Sequence, residues 1–359
     1  MNIKLLSRLL TLVSITIIAL SCTKEPVGPI SSGPDTTSHN FTWNQYTFGG
    51  SAGSCSFNDV AVINDSDIWA AGIIYTATDT LTYNAVHWDG KSWTLKQILF
   101  HATCTQSYMG SYEITAVCAF GSNDVWFCDG GELVHWNGIS YQTDCSILPL
   151  ASGELRKMWG SSSSDMYLVG YNGALIHYVN GVGQKLTSGT NASIPDIWGG
   201  INPTGQEEVI AVTSNGVAFP QVKGILQISG NTVTAVNDSG LSTFLSTAWF
   251  TPGWKYFAGG DRIYSTSVIG NNWGADTVLE PPQYTFSIRG IAKNDIFMVG
   301  GYGLVSHWNG QTLKQYTELG SFYGNYYSLS FKGNTVAAAG AFLGNTIYSY
   351  AAVLVGQRR

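Results

Sequence analysis

The sequence predicts an all-β fold, a seven-bladed β-propeller of four-stranded blades closed by N- and C-terminal strands that share one blade. Three observations support this prediction. Charged residues make up only 11% of the chain, against roughly 25% in an average soluble domain. Aromatic residues reach 13%, and short apolar segments are separated by Asn, Asp and 42 glycines, which is typical of many short strands joined by tight turns. A strand-like motif also recurs along the chain.

Residues 1–21 have the features of an export signal. Lys4 and Arg8 precede an apolar run at residues 9–20, which is shorter than the ~20 residues that a membrane-spanning helix needs. The small residue Ser21 then precedes Cys22. An ordinary secretory signal followed by a coincidental cysteine would give the same pattern.

The run Ala19-Leu20-Ser21-Cys22 resembles the lipobox of bacterial lipoproteins. The resemblance implies lipidation of Cys22 as the only membrane attachment. With Thr23 next, it also implies sorting to the outer membrane, where the protein would be periplasmic or surface-exposed. Residues 22–40 are rich in Pro, Ser, Gly and Thr and are expected to form a flexible tether. The propeller is expected to span residues 41–359.

The charge balance argues against one class of partner. The chain has 17 Lys and Arg against 23 Asp and Glu, a net charge of −6, and its basic residues do not cluster. Because nucleic-acid phosphates require clustered Lys and Arg, we expect no nucleic-acid partner. No cofactor is expected either.

The repeat is clearest in four copies of Asp-apolar-aromatic followed by a His-aromatic pair. They read DIWAAG (67–72) with VHWDG (86–90), DVW (124–126) with VHWNG (134–138), DMYLVG (165–170) with IHY (176–178), and DIFMVG (295–300) with SHWNG (306–310). Degenerate copies lie at 209–212, 254–259 and 335–340. Anchors at 69, 126, 167, 210, 256, 297 and 336 give steps of 57, 41, 43, 46, 41 and 39 residues. Seven such units predict seven blades.

Two further features fit a closed ring of blades. The second strand is apolar on consecutive residues, as at 68–71, which is expected when a blade is buried on both faces. The last unit ends with the strand at 350–356 and lacks an outer strand, which FTWNQY (41–46) can supply, with Trp43 matching Trp93. A blade built from both termini removes the exposed sheet edge.

These repeats resemble the β-propeller lipoproteins of Bacteroidetes, in the broad group with BNR-like and Kelch-like repeats. The resemblance covers residues 41–359 and rests on the Asp-apolar-aromatic, Gly and His-Trp-Asn/Asp-Gly pattern. It implies the fold and leaves the function open.

The recurring histidines and aspartates are interpreted as structural, since blades lie far apart around a ring. Each imidazole is expected to bond a turn of its own blade, and each carboxylate to accept backbone N–H groups in the turn before the second strand. His39 and His101 fall in the tether and in a loop, so no metal site is predicted. The recurring residues are His87, His135, His177 and His307 with Asp67, Asp124, Asp165 and Asp295.

Five cysteines follow Cys22, so at least one is unpaired or bonded elsewhere. Cys118 is expected to face residue 127 on the adjacent strand, which would point Cys118 and Cys128 to opposite faces. Cys55, Cys104 and Cys145 fall near connections that enter or leave a first strand. A Cys104–Cys145 or a Cys55–Cys104 bridge is therefore the hypothesis.

Two groups of residues are candidates for ligand binding. Polar side chains on the channel-lining first strands could form a pocket for a carboxylate or a sugar, or could simply be polar residues at a wet channel mouth. The long first step adds insertions at 74–84 and 100–113 that are expected on the same side, with tyrosines suited to recognition. The candidates are Asn58, Asp59, Arg156, Lys157, Asp196 and Arg289 in the first group and Tyr75, Tyr83, Tyr108 and Tyr112 in the second.

Two functions remain open from the sequence. The first is a non-catalytic, envelope-anchored binding or scaffold propeller that recognises a glycan or a protein through its loop-decorated face; no catalytic residue is assigned. The alternative is a glycan-active hydrolase or lyase at the channel mouth, built around Arg156, Arg289, Asp59 and Asp196.

Overall fold

The computed structural model describes residues 35–359 except 79, 203, 217, 219, 322, 345 and 346. The predicted export signal, Cys22 and the first part of the predicted tether lie outside the described residues. None of the helical segments in the described part of the chain has the length and apolar content that a membrane span requires.

The described residues form seven four-stranded antiparallel sheets and one short hairpin, which confirms the predicted seven-bladed propeller. The first strands in chain order are β1 (Phe41–Phe48); β2–β5 of blade 1 (Ser56–Asn64, Asp67–Tyr75, Thr82–Trp88, Trp93–Lys96); the hairpin β6–β7 (Phe100–His101, Met109–Gly110); β8–β11 of blade 2 (Ala116–Gly121, Asp124–Cys128, Leu133–Trp136, Tyr141–Asp144); and β12–β15 of blade 3 (Leu155–Ser162, Asp165–Gly170, Leu175–Val179, Val182–Lys185).

The remaining strands complete the ring. They are β16–β19 of blade 4 (Ser193–Ile201, Glu207–Ser214, Lys223–Ser229, Thr232–Val236); β20–β23 of blade 5 (Leu245–Thr251, Lys255–Gly260, Ile263–Thr266, Gly274–Ala275); β24–β27 of blade 6 (Thr285–Ala292, Asp295–Gly300, Val305–Trp308, Leu313–Gln315); and β28–β30 of blade 7 (Gly324–Lys332, Thr335–Leu343, Ser349–Arg358). Short 3-10 turns lie at Leu148–Leu150, Tyr171–Gly173, Gly301–Gly303 and Thr317–Leu319.

Both ends of the chain build blade 7, as predicted. β1 pairs antiparallel with β30, so the strand order is β1-β30-β29-β28. Trp43 lies opposite Gly356, and a Cβ at that glycine would come within 2.4 Å of the indole ring. The closed ring leaves no blade without a neighbour on either side.

The hydrophobic core lies between blades. Trp69 of blade 1 packs edge-to-face on Phe127 of blade 2, with ring centroids 5.3 Å apart. Ile68 and Ala70, which point to the other face of the same strand, pack with residues of blade 7. Burial on both faces explains the consecutive apolar residues and the low charge of the sequence.

The glycine that ends several second strands is required by close approach of the neighbouring inner strand. A Cβ at Gly300 would lie 2.0 Å from the carbonyl oxygen of Tyr284, and a Cβ at Gly170 would lie 2.0 Å from that of Glu154. Each glycine faces an irregularity in the inner strand, where the register shifts by one residue.

The recurring Asp and His bond each other, which corrects the expectation that each would bond a turn. In blade 1, His87 Nε2 lies 2.9 Å from Asp67 Oδ1, and its ring stacks on Trp69 at 4.2 Å. Burial tends to raise the pKa of Asp67, but hydrogen bonds from His87 and Ser122 outweigh it and hold the pKa below its usual value. The same arrangement recurs as Asp124–His135–Trp126, Asp165–His177–Tyr167 and Asp295–His307–Phe297.

Residues 35–40, expected at the end of the tether, pack against blade 6. Thr37 donates hydrogen bonds from N to Asn309 O (3.1 Å) and from Oγ1 to Asn294 O (2.6 Å). His39 Nδ1 lies 2.8 Å from His307 Nδ1. Thr37 and His39 are therefore held against blade 6.

One disulfide joins Cys104 to Cys145, the first of the two pairings considered. Cys55, Cys118 and Cys128 are free thiols. Cys118 lies opposite Trp126 rather than residue 127, so Cys118 and Cys128 share one face and do not point apart as expected. They stay unpaired because they are two positions out of register across the strand pair.

Candidate functional site

A pocket of about 440 Å³ opens at the end of the axis where the inner strands begin; we call it the mouth pocket. Side chains on β2, β12, β16, β20, β24 and β28 converge there because each inner strand starts at the same rim. The described lining residues are Asn58, Thr115, Arg156, Lys157, Tyr171, Ser193, Ile194, Pro195, Asp196, Ser214, Gly216, Phe244, Leu245, Ser246, Tyr284, Phe286, Ser287, Tyr327 and Ser328.

A second cavity of about 210 Å³ lies further along the channel. Asp59, Trp198 and Arg289 are among its lining residues, and Lys157 lines both cavities. Two ion pairs lie at the boundary between them.

The first ion pair joins blade 1 to blade 3. Lys157 Nζ lies 2.5 Å from Asp59 Oδ1 and 3.1 Å from Ser328 Oγ, and Ser328 Oγ donates to the same carboxylate oxygen at 2.5 Å. The other oxygen of Asp59 accepts the backbone N–H of Val117 at 3.1 Å. This carboxylate is 1% exposed, and its hydrogen-bonding capacity is used within the protein.

The second ion pair joins blade 4 to blade 6. Arg289 makes a bidentate contact with Asp196, with Nη2–Oδ1 at 2.7 Å and Nη1–Oδ2 at 3.0 Å. Thr247 Oγ1 donates to Asp196 Oδ2 at 2.7 Å, and the Ala248 N–H donates to it at 3.0 Å. The guanidinium also lies 4.7 Å from the Trp198 ring centroid.

These contacts change the interpretation of four predicted ligand residues. Asp59, Lys157, Asp196 and Arg289 lie at the channel as expected, but they bond each other and the backbone. Arg289 is 4% exposed and does not line the described mouth pocket. Their contacts link inner strands across an intervening blade, which is a structural role.

Arg156 remains the cation with an accessible guanidinium at the described mouth. Its side chain is about one-third exposed, with Nη1 2.9 Å from Glu154 Oε1 and the guanidinium 5.4 Å from the Tyr171 ring centroid. Asn58 also lines the pocket, and its amide donates to Glu113 Oε1 at 2.7 Å and to Ile114 O at 2.8 Å. Arg156 can therefore bind an anionic group through donors that Glu154 does not occupy.

Blades 5 to 7 supply an aromatic wall to the mouth pocket, consisting of Phe244, Tyr284, Phe286 and Tyr327. Phe286 packs on Tyr284 at 5.0 Å and on Tyr327 at 5.5 Å between ring centroids. Burial raises the pKa of Tyr284, so its hydroxyl stays protonated at neutral pH. Sequence reasoning missed this wall because only polar side chains were considered at the channel mouth. The available signal was position, since Phe244 and Tyr284 each directly precede an inner strand and Phe286 and Tyr327 each occupy the bulge near its start.

The predicted tyrosines lie outside the described mouth pocket. Tyr75 and Tyr83 are partly buried and pack against the core between blades 1 and 7. Tyr108 is 68% exposed and Tyr112 is also exposed, in the connection between blades 1 and 2. This connection reaches the rim through the Glu113–Asn58 hydrogen bond.

A separate cluster at the edge of blade 2 could hold a metal ion, which the sequence did not predict. His101, Glu132 and Cys145 each offer one donor atom, all within 4.8 Å of one another. Glu132 comes from the β9–β10 connection, His101 from the hairpin β6–β7 and Cys145 from the connection after β11.

Comparison with known proteins identifies the fold. No protein-family model and no curated protein matches this chain. The solved structures similar to it include "YCF48 bound to D1 peptide", with a TM-score of 0.62 and 17% identity over 91% of this chain and 100% of that one. YCF48 from Cyanidioschyzon merolae has a TM-score of 0.59 and 14% identity over 88% of this chain and 98% of that one.

The WD40 β-propeller domain of Doa1 is also similar, with a TM-score of 0.58 and 12% identity over 88% of this chain and 96% of that one. At these identities the similarity concerns the fold alone. The chain thus has the architecture of a seven-bladed β-propeller, shared with YCF48 and a WD40 domain.

Proposed function

We propose that this protein is a non-catalytic binding propeller that holds an extended segment of another protein in the mouth pocket. The observation that carries the proposal is the lining of that pocket, where an accessible Arg156 faces the channel rim together with the aromatic wall. Aromatic side chains and arginine are the residue types that dominate binding energy at protein interfaces. The segment we infer carries an apolar or aromatic residue and an acidic group.

The carboxylates near the mouth are held in ion pairs, which favours binding over catalysis. Asp196 is the one carboxylate among the described residues that line the mouth pocket, and Arg289 neutralises it. Asp59 is likewise neutralised by Lys157. A glycoside hydrolase needs one carboxyl group able to donate a proton and a second to act as base or nucleophile. A glycan-active hydrolase or lyase built on these residues is therefore the less supported alternative.

A solved propeller gives independent support for a protein ligand. YCF48, which was solved with a bound D1 peptide, matches this chain over its own whole length and over 91% of this chain. Propellers have large open faces that suit extended ligands. Aromatic side chains also stack on sugar rings, so a glycan remains the competing ligand, and the experiment must separate the two.

The proposed test screens the purified full-length chain on a displayed peptide library and on a glycan array in parallel. We expect peptide ligands, and we expect Arg156→Ala and Tyr327→Ala each to weaken their affinity about tenfold or more, as substitution of interface hot spots does. Matched controls on the opposite face, Lys332→Ala and Ile139→Ala, should leave the affinity unchanged, since both residues are exposed there.

The outcomes distinguish the ligand classes. Glycan binding that Arg156→Ala abolishes, without any peptide ligand, would replace the protein ligand by a glycan. Binding of either class that both mouth variants leave intact would remove the mouth pocket as the site.

We further propose that the protein is anchored in the cell envelope through Cys22, on the lipobox-like run that ends there. The BNR-like and Kelch-like character of the repeats belongs to the same proposal of a bacterial lipoprotein. Asp35 lies against Asn294, in the turn that joins β24 to β25, at the opposite end of the inner strands from the mouth pocket.

Metabolic labelling with a palmitate analogue tests this anchor. We expect label on the wild-type chain in the outer-membrane fraction and none on Cys22→Ser. A Cys22→Ser chain that keeps both the label and the location would contradict it. Cys55→Ser is the matched control, because that thiol is buried in the fold.

A further inference from the structure

Four metal-binding side chains lie together where the connection between blades 1 and 2 meets blade 2, two from the connection (His101 and Cys104) and two from blade 2 (Glu132 and Cys145). His101 Nδ1 lies 2.7 Å from Glu132 Oε1 and 3.8 Å from Cys145 Sγ. Cys145 is bonded to Cys104, so a second sulfur is present at the same place. Two sulfurs, one imidazole nitrogen and one carboxylate oxygen form a donor set that zinc accepts in tetrahedral geometry.

The orientation of the groups fits a metal ion better than an acid–base relay. A relay would use the two ring nitrogens of His101 for different partners. Here the single atom Nδ1 faces both the carboxylate and the sulfur. The donor atoms of His101, Glu132 and Cys145 all lie within 4.8 Å of one another, which a tetrahedral ion can bridge with small side-chain movements.

The buried carboxylate is a second observation that points to a cation. Glu132 is 3% exposed, and its oxygens accept from the backbone N–H of His101 and from the His101 ring, each at 2.7 Å. No Lys or Arg is paired with it among the described residues. A buried carboxylate without a permanent cation is costly, and a bound divalent ion would neutralise it.

We propose that His101, Glu132, Cys104 and Cys145 form a zinc site that is available when the Cys104–Cys145 disulfide is reduced. A dithiol reductant supplies the two electrons and two protons that convert the disulfide into two thiols. Zinc then displaces one proton from each thiol and binds both thiolates, Glu132 and Nδ1 of His101, whose ring proton lies on Nε2. The disulfide and the metal thus exclude each other.

Either linkage fastens the same part of the chain. Cys104 lies between β6 and β7 in the inserted connection, whereas Cys145 follows β11 of blade 2. The insertion is therefore tied to the end of the outer strand β11 of blade 2, by the disulfide under oxidising conditions and by zinc under reducing conditions.

Cobalt titration of the purified full-length chain tests the proposal, because Co²⁺ bound by thiolates absorbs where the free ion does not. We expect the chain reduced with a phosphine to bind one Co²⁺ with thiolate-to-cobalt charge-transfer bands and the intense visible bands of tetrahedral cobalt. Zinc should displace the cobalt. The oxidised chain should show neither band, and Cys145→Ser, which leaves Cys104 as the one thiolate ligand, should bind cobalt more weakly and with weaker charge transfer.

The ligand variants and a control decide the assignment. His101→Ala and Glu132→Gln in the reduced chain should weaken cobalt affinity at least about tenfold, with the fold checked by circular dichroism. Cys118→Ser, which removes a free thiol elsewhere in blade 2, should leave the spectrum unchanged. The proposal is overturned if the reduced wild-type chain lacks the bands, or if Glu132→Gln and His101→Ala both bind cobalt as the wild type does. If a variant fails to fold, the comparison of cobalt binding by the oxidised and the reduced wild-type chain still tests the proposal.

Discussion

Arg289 and Asp196 show how a residue that looks like a ligand group from the sequence can be structural. Both were predicted to lie on channel-lining first strands, and both do, but Arg289 lies in the middle of its strand and deeper in the channel than the mouth pocket. The two residues pair with each other although they lie 93 positions apart in sequence, in blades that are not consecutive. No local pattern reports such a pairing, so the residues were predictable and their roles were not.

The Arg289–Asp196 pair gives a stability prediction. Asp196→Asn leaves the buried guanidinium without its charge partner, and we expect this to lower the free energy of unfolding by about 3–5 kcal/mol. Urea denaturation monitored by tryptophan fluorescence measures the change. Glu280→Gln, which breaks the exposed Arg262–Glu280 pair, is the matched control and should leave the unfolding midpoint almost unchanged. Equal effects of the two substitutions would refute the structural role.

His39 gives a prediction for pH dependence. Burial and the adjacent His307 lower the pKa of His39 to about 4 from its usual 6.5. The unfolded chain therefore binds more protons between these values, so the stability that this contact contributes is complete above pH 6.5 and is lost as pH falls towards 4.

Hydrogen exchange at residues 35–41 measures this effect. We expect protection there to fall between pH 7 and pH 5 relative to blade 4, after correction for the intrinsic pH dependence of exchange. His39→Phe should remove the difference. Protection that stays constant over this range in the wild type would show that His39 does not control the contact.

At the scale of the element, the repeat predicted where the strands lie, but it did not predict which side chains contact each other. Asp67, His87 and Gly72 were each identified as recurring, and Asp67 and His87 were given a structural role. The structure adds that His87 bonds Asp67 and stacks on Trp69, and that a Cβ at Gly72 would lie 2.0 Å from the carbonyl oxygen of Ser56. A sequence repeat identifies the positions at which one residue type is required. The contacts that require it are made with neighbouring strands and cannot be read from the repeat.

The recurring glycine gives a prediction at this scale. Gly300→Ala would force a methyl group against the Tyr284 carbonyl oxygen, and we expect a loss of about 1–3 kcal/mol of stability from the strain. Gly121→Ala, at the end of another inner strand, meets nothing within 4 Å and should be nearly neutral. Thermal unfolding of the two variants compares them directly, and an equally stable Gly300→Ala would contradict the close-approach explanation.

At the scale of the whole molecule, the sequence sufficed for the ring and for its closure. Two features predict them: the regular spacing of the repeat anchors and the unpaired strand near each end of the chain. Both remain recognisable even where individual repeats are degenerate. The aromatic wall was not predictable in this way. Phe244 and Tyr284 each directly precede an inner strand and Tyr327 lies in the bulge of another, and only the closed ring brings them to one rim.

The two functional sites that we propose, the mouth pocket and the metal-binding cluster, lie on the same side of the ring but are built from different residues. The mouth pocket lies where the inner strands begin, and residues 35–40 contact blade 6 at the other end. The cluster of His101, Glu132 and Cys145 lies on the rim side, in the connections around blade 2. Ligand binding at the mouth and redox-dependent metal binding at the rim can therefore be tested independently.

Hydrogen–deuterium exchange of the chain with a selected peptide ligand is the most direct test of binding in the mouth pocket. We predict that the ligand slows exchange at residues 193–196, 244–247, 284–287 and 324–328, and that residues 137–140 on the opposite face are unaffected. The same experiment with Arg156→Ala should lose this protection at matched ligand concentration. Protection confined to the opposite face, or to the insertion at 100–113, would contradict the proposed site.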